Sequence, residues 1–132
     1  IILLVEDNQD DEELALLAFK KGQVINEVVV ARDGAEALDY LFGTGAHAGR
    51  EVGALPQLML LDLKLPKLNG LEVLHRVRAD PRTHRLPVVI LTSSREDEDL
   101  MRGYDLGANS YVRKPVDFNQ FVDAVRQLQM YW

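Results

Sequence analysis

Five short apolar runs recur along this chain, and a helix signal follows each one; no other feature restricts the possible folds so strongly. The runs are Ile1 to Val5, Val28 to Ala31, Leu58 to Leu61, Pro87 to Leu91 and Ser110 to Val112. Their length, with turn formers on either side, suits strands, and their near-continuous apolar character suits burial on both faces. Behind them stand pairs that match an N-cap followed three residues later by Glu or Gln: Asp10 with Glu13, Asp33 with Glu36, Asn69 with Glu72, Ser93 with Glu96, and Asp117 with Gln120. Apolar stripes at helical spacing come next, namely Leu14, Leu17 and Ala18; Ala37, Leu38 and Leu41; Val73, Leu74 and Val77; and Phe118, Phe121, Val122, Val125 and Leu128.

A strand-helix unit repeated in this way predicts a parallel sheet with helices on both faces, joined by right-handed crossovers. Five units suit an α/β, flavodoxin-like, doubly wound sheet with strand order 2-1-3-4-5. The 132 residues, 47% hydrophobic and 27% charged, fit one domain over 1–132 with a core of its own. The connection from Gly43 to Leu55, rich in Gly and Ala, is long for a helix-to-strand loop and reads as a surface excursion or a partner contact. A formal charge of -6 repels a nucleic-acid backbone. Without cysteine there is no disulfide framework and no thiolate metal site. No apolar stretch approaches membrane-spanning length, so a cytoplasmic protein without membrane contact is expected.

The third run delivers Asp62 to its far end, followed by Pro66-Lys67-Leu68-Asn69-Gly70. In open parallel sheets ligands bind at the carboxyl ends of the strands. The first run ends in Glu6-Asp7, so a fold that sets these two strands side by side gathers three carboxylates. Such a cluster is costly alone and is relieved by a hard divalent ion, and Mg²⁺ suits so sparse a set of oxygens. Acids ahead of a helix N-terminus would also be favoured there without a metal.

The fourth run ends in Leu91-Thr92-Ser93-Ser94 and the fifth leads to Lys114-Pro115, which places a hydroxyl and an ammonium on the same edge. Each alone is an ordinary strand-end or solvated residue. Together with Asp62 they make a phosphoryl site, in which a carboxylate attacks phosphorus while Lys114 and a metal neutralise the equatorial oxygens and Thr92 donates a hydrogen bond.

These residues resemble the receiver domain of bacterial two-component response regulators over essentially the whole chain. The motifs are Val5-Glu6-Asp7, Leu60-Leu61-Asp62-Leu63-Lys64-Leu65-Pro66 with Asn69-Gly70, Leu91-Thr92-Ser93, Gly107-Ala108 and Lys114-Pro115. The resemblance implies that Asp62 accepts a phosphoryl group from a sensor histidine kinase and that Glu6, Asp7, Asp62 and the Lys64 carbonyl hold Mg²⁺. It also implies that Lys114 and Thr92 assist, and that Thr92 and Tyr111 form a switch. Glu6 stands where many members have Asp. Such a protein is a phosphoacceptor that catalyses only its own phosphorylation and dephosphorylation, not an enzyme acting on other substrates.

Several stretches are similar to regulators paired with phytochrome kinases: the long Gly43 to Leu55 loop, Ala79-Asp80-Pro81, Gly107 to Tyr111, Lys114 to Phe118, and Met130-Tyr131-Trp132. A phytochrome-type kinase partner is therefore expected, and no output domain. The aromatic end, beside Leu100, Met101, Tyr104, Tyr111, Phe121 and Leu128 in this fold, predicts a homodimer through a face that includes Tyr131 and Trp132. The alternative is that Trp132 caps its own core. Aspartyl-phosphate phosphatases carry a second acid two residues after the nucleophile, where this chain has Lys64. A phosphate-independent pseudo-receiver usually lacks the equivalent of Asp62 or Lys114, and both are present. His47, His75 and His84 lack metal-ligand spacing and read as structural or surface residues.

Overall fold

Strands β1 (Ile2–Val5), β2 (Val28–Ala31), β3 (Leu58–Asp62), β4 (Val88–Ser93) and β5 (Ser110–Lys114) form one sheet in the order β2-β1-β3-β4-β5, as the alternation predicts. Every pairing is parallel. The computed structural model describes residues 1–21, 27–49, 55–62, 65, 68–93, 107, 110–114 and 119. Three helices lie among them: α1 (Gln9–Lys21), α2 (Gly34–Phe42) and α3 (Gly70–Ala79). The stripe from Phe118 to Leu128 and the pairs Ser93-Glu96 and Asp117-Gln120 depend on residues outside that set.

The apolar runs are continuous because the sheet is covered twice. Leu3, Val5, Met59, Leu61, Val88 and Ile90 point to one face, where Ala37, Leu38, Leu41, Val73, Leu74 and Val77 of α2 and α3 meet them. Ile2, Leu4, Leu58, Leu60, Val89 and Leu91 point to the other, against Ala15, Ala18 and Phe19 of α1. Alternate residues thus serve opposite layers. None of the side chains of Ile2 to Val5 or of Leu58 to Leu61 is exposed.

Of the stripe expected on α1, Ala18 is buried as expected, and the two leucines are corrected by the structure. Leu14 and Leu17 are 42% and 45% exposed, while Glu12, Ala15, Ala18 and Phe19 form the buried face. Two stripes with the same spacing overlap here, and the one with small residues lets the helix backbone approach the sheet. The start of α1 is corrected as well. Asp10 already lies within the helix, and the Asp11 N–H donates to the Asn8 side chain at 3.0 Å, so Asn8 is the cap.

Two expected caps are present. The Glu36 N–H donates to Asp33 Oδ1 at 2.7 Å and the Glu72 N–H to Asn69 Oδ1 at 2.9 Å. In the first, the Glu36 carboxylate accepts from the Arg32 N–H at 3.1 Å, one residue before the cap. Helix α2 stops at Gly43, whose φ of 66° is left-handed. The first residues of the long connection then fold back on α2. Thr44 Oγ1 donates to Asp39 at 2.8 Å, a 3₁₀ turn spans Gly45–His47, and the His47 ring stands edge-on to Tyr40 at 5.2 Å.

Candidate metal centre

Strands β1 and β3 are neighbours, with Val5 paired to Leu61, so Glu6 and Asp62 come next to each other at the carboxyl edge. The Glu6 N–H donates to Ala31 O at 2.9 Å, and the Asn8 N–H donates to Glu6 Oε1 at 3.2 Å. The first bond extends the ladder to β2 by one residue; the second orients the carboxylate as the chain turns into α1. Glu6 is fully buried and Asp62 is 6% exposed, whereas Asp7 is exposed.

One carboxylate oxygen from each of Glu6, Asp7 and Asp62 lies within 4.8 Å of the others. Two of the three are withdrawn from water, where their repulsion is screened least. The donor set is all oxygen, without thiolate or imidazole, and so suits a hard divalent cation such as Mg²⁺, Mn²⁺ or Ca²⁺. Among the described residues no other group of acids, histidines or cysteines is placed to hold a metal. His47 and His84 make local contacts instead, His47 with Tyr40 and His84 through Nδ1 at 2.8 Å from Pro81 O. His75 is exposed on α3.

The remaining expected site residues are placed by backbone. Asp62 pairs with Leu91, so Thr92 is one step further along the same edge. Thr92 pairs with Arg113 and Ser93 with Lys114, which brings Lys114 to the end of β5 on that edge. Tyr111 pairs with Ile90, further back in the strand. Lys64 lies outside the described residues, as do Leu100, Met101, Tyr104, Phe121, Leu128, Tyr131 and Trp132 of the expected dimer face.

One contact beside the cluster has no signal in the sequence. The Arg32 terminal nitrogens donate to the two Glu12 oxygens at 2.8 and 3.2 Å, joining the end of β2 to the first part of α1. Twenty residues separate the pair, and no spacing rule connects them.

The family model for the response regulator receiver domain matches residues 2–126. The bacteriophytochrome response regulator AtBRR is similar to this chain at 57% identity, with a TM-score of 0.85 over 99% of this chain and 93% of that one. The bacteriophytochrome response regulator RtBRR is 53% identical, with a TM-score of 0.89 over 99% and 78%. Response regulator Rcp1 of Synechocystis sp. is 35% identical over 100% of this chain and 88% of its own length. The Mn(2+)-bound form of Rcp1 has a TM-score of 0.82 at 34% identity, over 99% of this chain and 92% of that one.

Proposed function

This chain belongs to the response regulator receiver domain family, and on that footing we propose that residues 1–132 form one receiver domain in which Asp62 is the phosphoacceptor. The family is a phosphoacceptor signalling module, and this member is related to phytochrome response regulators. One observation above all supports the reading: the buried Glu6 and Asp62 and the exposed Asp7 converge on adjacent strand ends.

An Asp62 carboxylate oxygen attacks the phosphorus of a phosphohistidine on a sensor kinase. The new O–P bond forms as the P–N bond breaks, and the electron pair returns to the imidazole ring. Glu6, Asp7 and Asp62, with the Lys64 carbonyl, would hold Mg²⁺. When bound, the ion supplies positive charge to the transferring phosphoryl oxygens. Lys114 contributes a second positive charge from the end of β5, and Thr92 a hydroxyl from β4. Phosphorylation adds roughly -1.5 to -2 charges, which draws Thr92 inward and moves Tyr111 with it.

The partner is a phytochrome-type histidine kinase, a reading supported by the likeness to the bacteriophytochrome response regulators AtBRR and RtBRR. The domain pairs with a second copy through the face of Leu100, Met101, Tyr104, Tyr111, Phe121, Leu128, Tyr131 and Trp132, which the Thr92 and Tyr111 switch alters, in a cytoplasmic setting. Among the described residues no helix is long and apolar enough to cross a membrane.

Intact mass after incubation with Mg²⁺ and acetyl phosphate tests the phosphoacceptor. The parent gains one phosphoryl group, and both Asp62→Asn and a chelator abolish the gain. An equal gain in Asp62→Asn, or none in the parent, would sink the reading.

A further inference from the structure

Arg78, in the last turn of α3, gives its guanidinium to three backbone carbonyls. Nε donates to Gly107 O at 2.9 Å, and one terminal nitrogen donates to His84 O at 3.0 Å and to Leu86 O at 2.7 Å. The acceptors belong to two stretches that run into the sheet side by side. Leu86 lies just ahead of β4, Gly107 just ahead of β5, and Val89 with Ser110 is the first pair of their ladder.

The β4 side of this contact is itself fixed. The Met59 N–H donates to Pro87 O at 2.9 Å and the Leu86 N–H to Thr83 O at 2.9 Å, so the chain ahead of β4 is held to β3 and to the preceding turn. The β5 side needs such a reference. Among the described strands, β5 is at the edge of the sheet and pairs only with β4. Its sequence, Ser110-Tyr111-Val112-Arg113-Lys114, lacks the continuous apolar character that locks β1 and β3 in place. Register is weakly specified in strands of that kind, and a slip of one residue moves each position by about 3.3 Å and exchanges the two faces.

Gly107 fits the same purpose. Its φ is 100°, a conformation open to glycine, and a Cβ there would stand 3.0 Å from Arg78 Nε. The guanidinium is also the right group. It offers several N–H donors in a fixed planar fork and can hold three acceptors in set directions, which a lysine ammonium on a flexible stem cannot.

The geometry points to Arg78 as a positioning residue that pins the β4–β5 register from the end of the sheet opposite Asp62, and thereby fixes where Lys114 stands along the carboxyl edge. The register part stands on contacts alone; its consequence for chemistry rests on the reading in which Lys114 assists phosphoryl transfer to Asp62.

Hydrogen exchange and phosphorylation are measured on the full chain for the parent, Arg78→Met and Arg78→Lys. In Arg78→Met, exchange at the β5 amides accelerates about tenfold relative to that at the β1 amides, with Arg78→Lys in between. Phosphorylation by acetyl phosphate slows by about tenfold, while Mg²⁺ affinity stays within about twofold because the acid cluster is on β1 and β3. Unchanged β5 exchange would overturn the proposal, and so would an equal loss of protection in all strands, which is what a merely structural contact gives. If Arg78→Met does not fold, the selective effect in Arg78→Lys decides by the same criteria. A parent that takes up no phosphoryl group defeats the functional reading, whereas the exchange comparison still decides the register.

Discussion

Glu12 takes both terminal nitrogens of Arg32 from a position where only 10% of its side chain is open to water, while the Arg32 side chain is 60% exposed. The carboxylate raises the pKa of the guanidinium, first through the hydrogen bond and then through its charge. The two partners are therefore not equivalent. Removing Arg32 leaves a withdrawn carboxylate without its cation, whereas removing Glu12 leaves a guanidinium that water can solvate. At pH 7 Arg32→Met should lower stability more than Glu12→Gln, and the double variant should regain part of the loss. The coupling should exceed that of the exposed Arg76–Glu72 pair, whose i,i+4 geometry supports only about 0.3–0.5 kcal/mol. Urea unfolding of the two double-mutant cycles checks this, and equal single losses would reduce the pair to a surface contact.

The same pair bears on what the sequence misplaced in α1. The sheet order, the carboxylate trio and the caps of α2 and α3 were legible because each rests on local chemistry: apolar runs, acids at strand ends, and Asp33 or Asn69 ahead of a helix. The phase of α1 was not, because Leu14 and Leu17 with Ala18 offer as good a stripe as Ala15, Ala18 and Phe19, and the Glu12–Arg32 contact on the buried face joins residues twenty apart. Arg78 was invisible for a related reason, since its acceptors are backbone carbonyls that any sequence supplies.

Solvent exposure then predicts a contrast between two leucines. Leu17 is 45% exposed, so Leu17→Ser should change unfolding free energy by no more than about 0.5 kcal/mol. Leu60 is fully buried in the layer beneath α1, and Leu60→Ala should cost about 2–5 kcal/mol. Chemical denaturation measures both. A loss at Leu17 comparable to that at Leu60 would restore the stripe that the structure sets aside.

Asp80 should show an acid-side effect. Arg82 donates to it from Nε at 3.0 Å, from a terminal nitrogen at 2.8 Å and from its backbone N–H at 2.8 Å. The side-chain bonds first, and the backbone bond second, lower its pKa from 3.8 to about 2. The native state thus keeps this carboxylate charged where the unfolded chain protonates it. The stabilisation is complete above the unfolded value of 3.8 and is lost as pH falls through about 2. NMR titration should find Asp80 near about 2 in the parent and partway back toward 3.8 in Arg82→Gln, where the backbone bond remains. An unchanged midpoint in the variant would remove the guanidinium as the cause.

Gly34 reverses the usual effect of placing alanine in a helix. It opens α2 and is buried. A Cβ at this position would overlap Leu68 O and stand 2.9 Å from Leu68 C, both backbone atoms that cannot rotate aside. Elsewhere in a helix Gly→Ala is favourable by roughly 0.5–1 kcal/mol. Here the first turn of α2 or the segment at Leu68 must move, and Gly34→Ala should cost about 1–3 kcal/mol. Leu68 precedes the Asn69 cap of α3 and lies on the connection that begins at Asp62. If the carboxylate cluster holds a divalent ion as proposed, the displacement should also weaken that binding, while the opposite substitution next to it, Ala35→Gly, should cost about 1 kcal/mol without changing that affinity. Urea unfolding with Mg²⁺ titration of both variants separates the two effects. A Gly34→Ala protein more stable than the parent would show that α2 and Leu68 are not in close contact, and intact Mg²⁺ affinity beside the expected loss of stability would show that the strain does not reach Asp62.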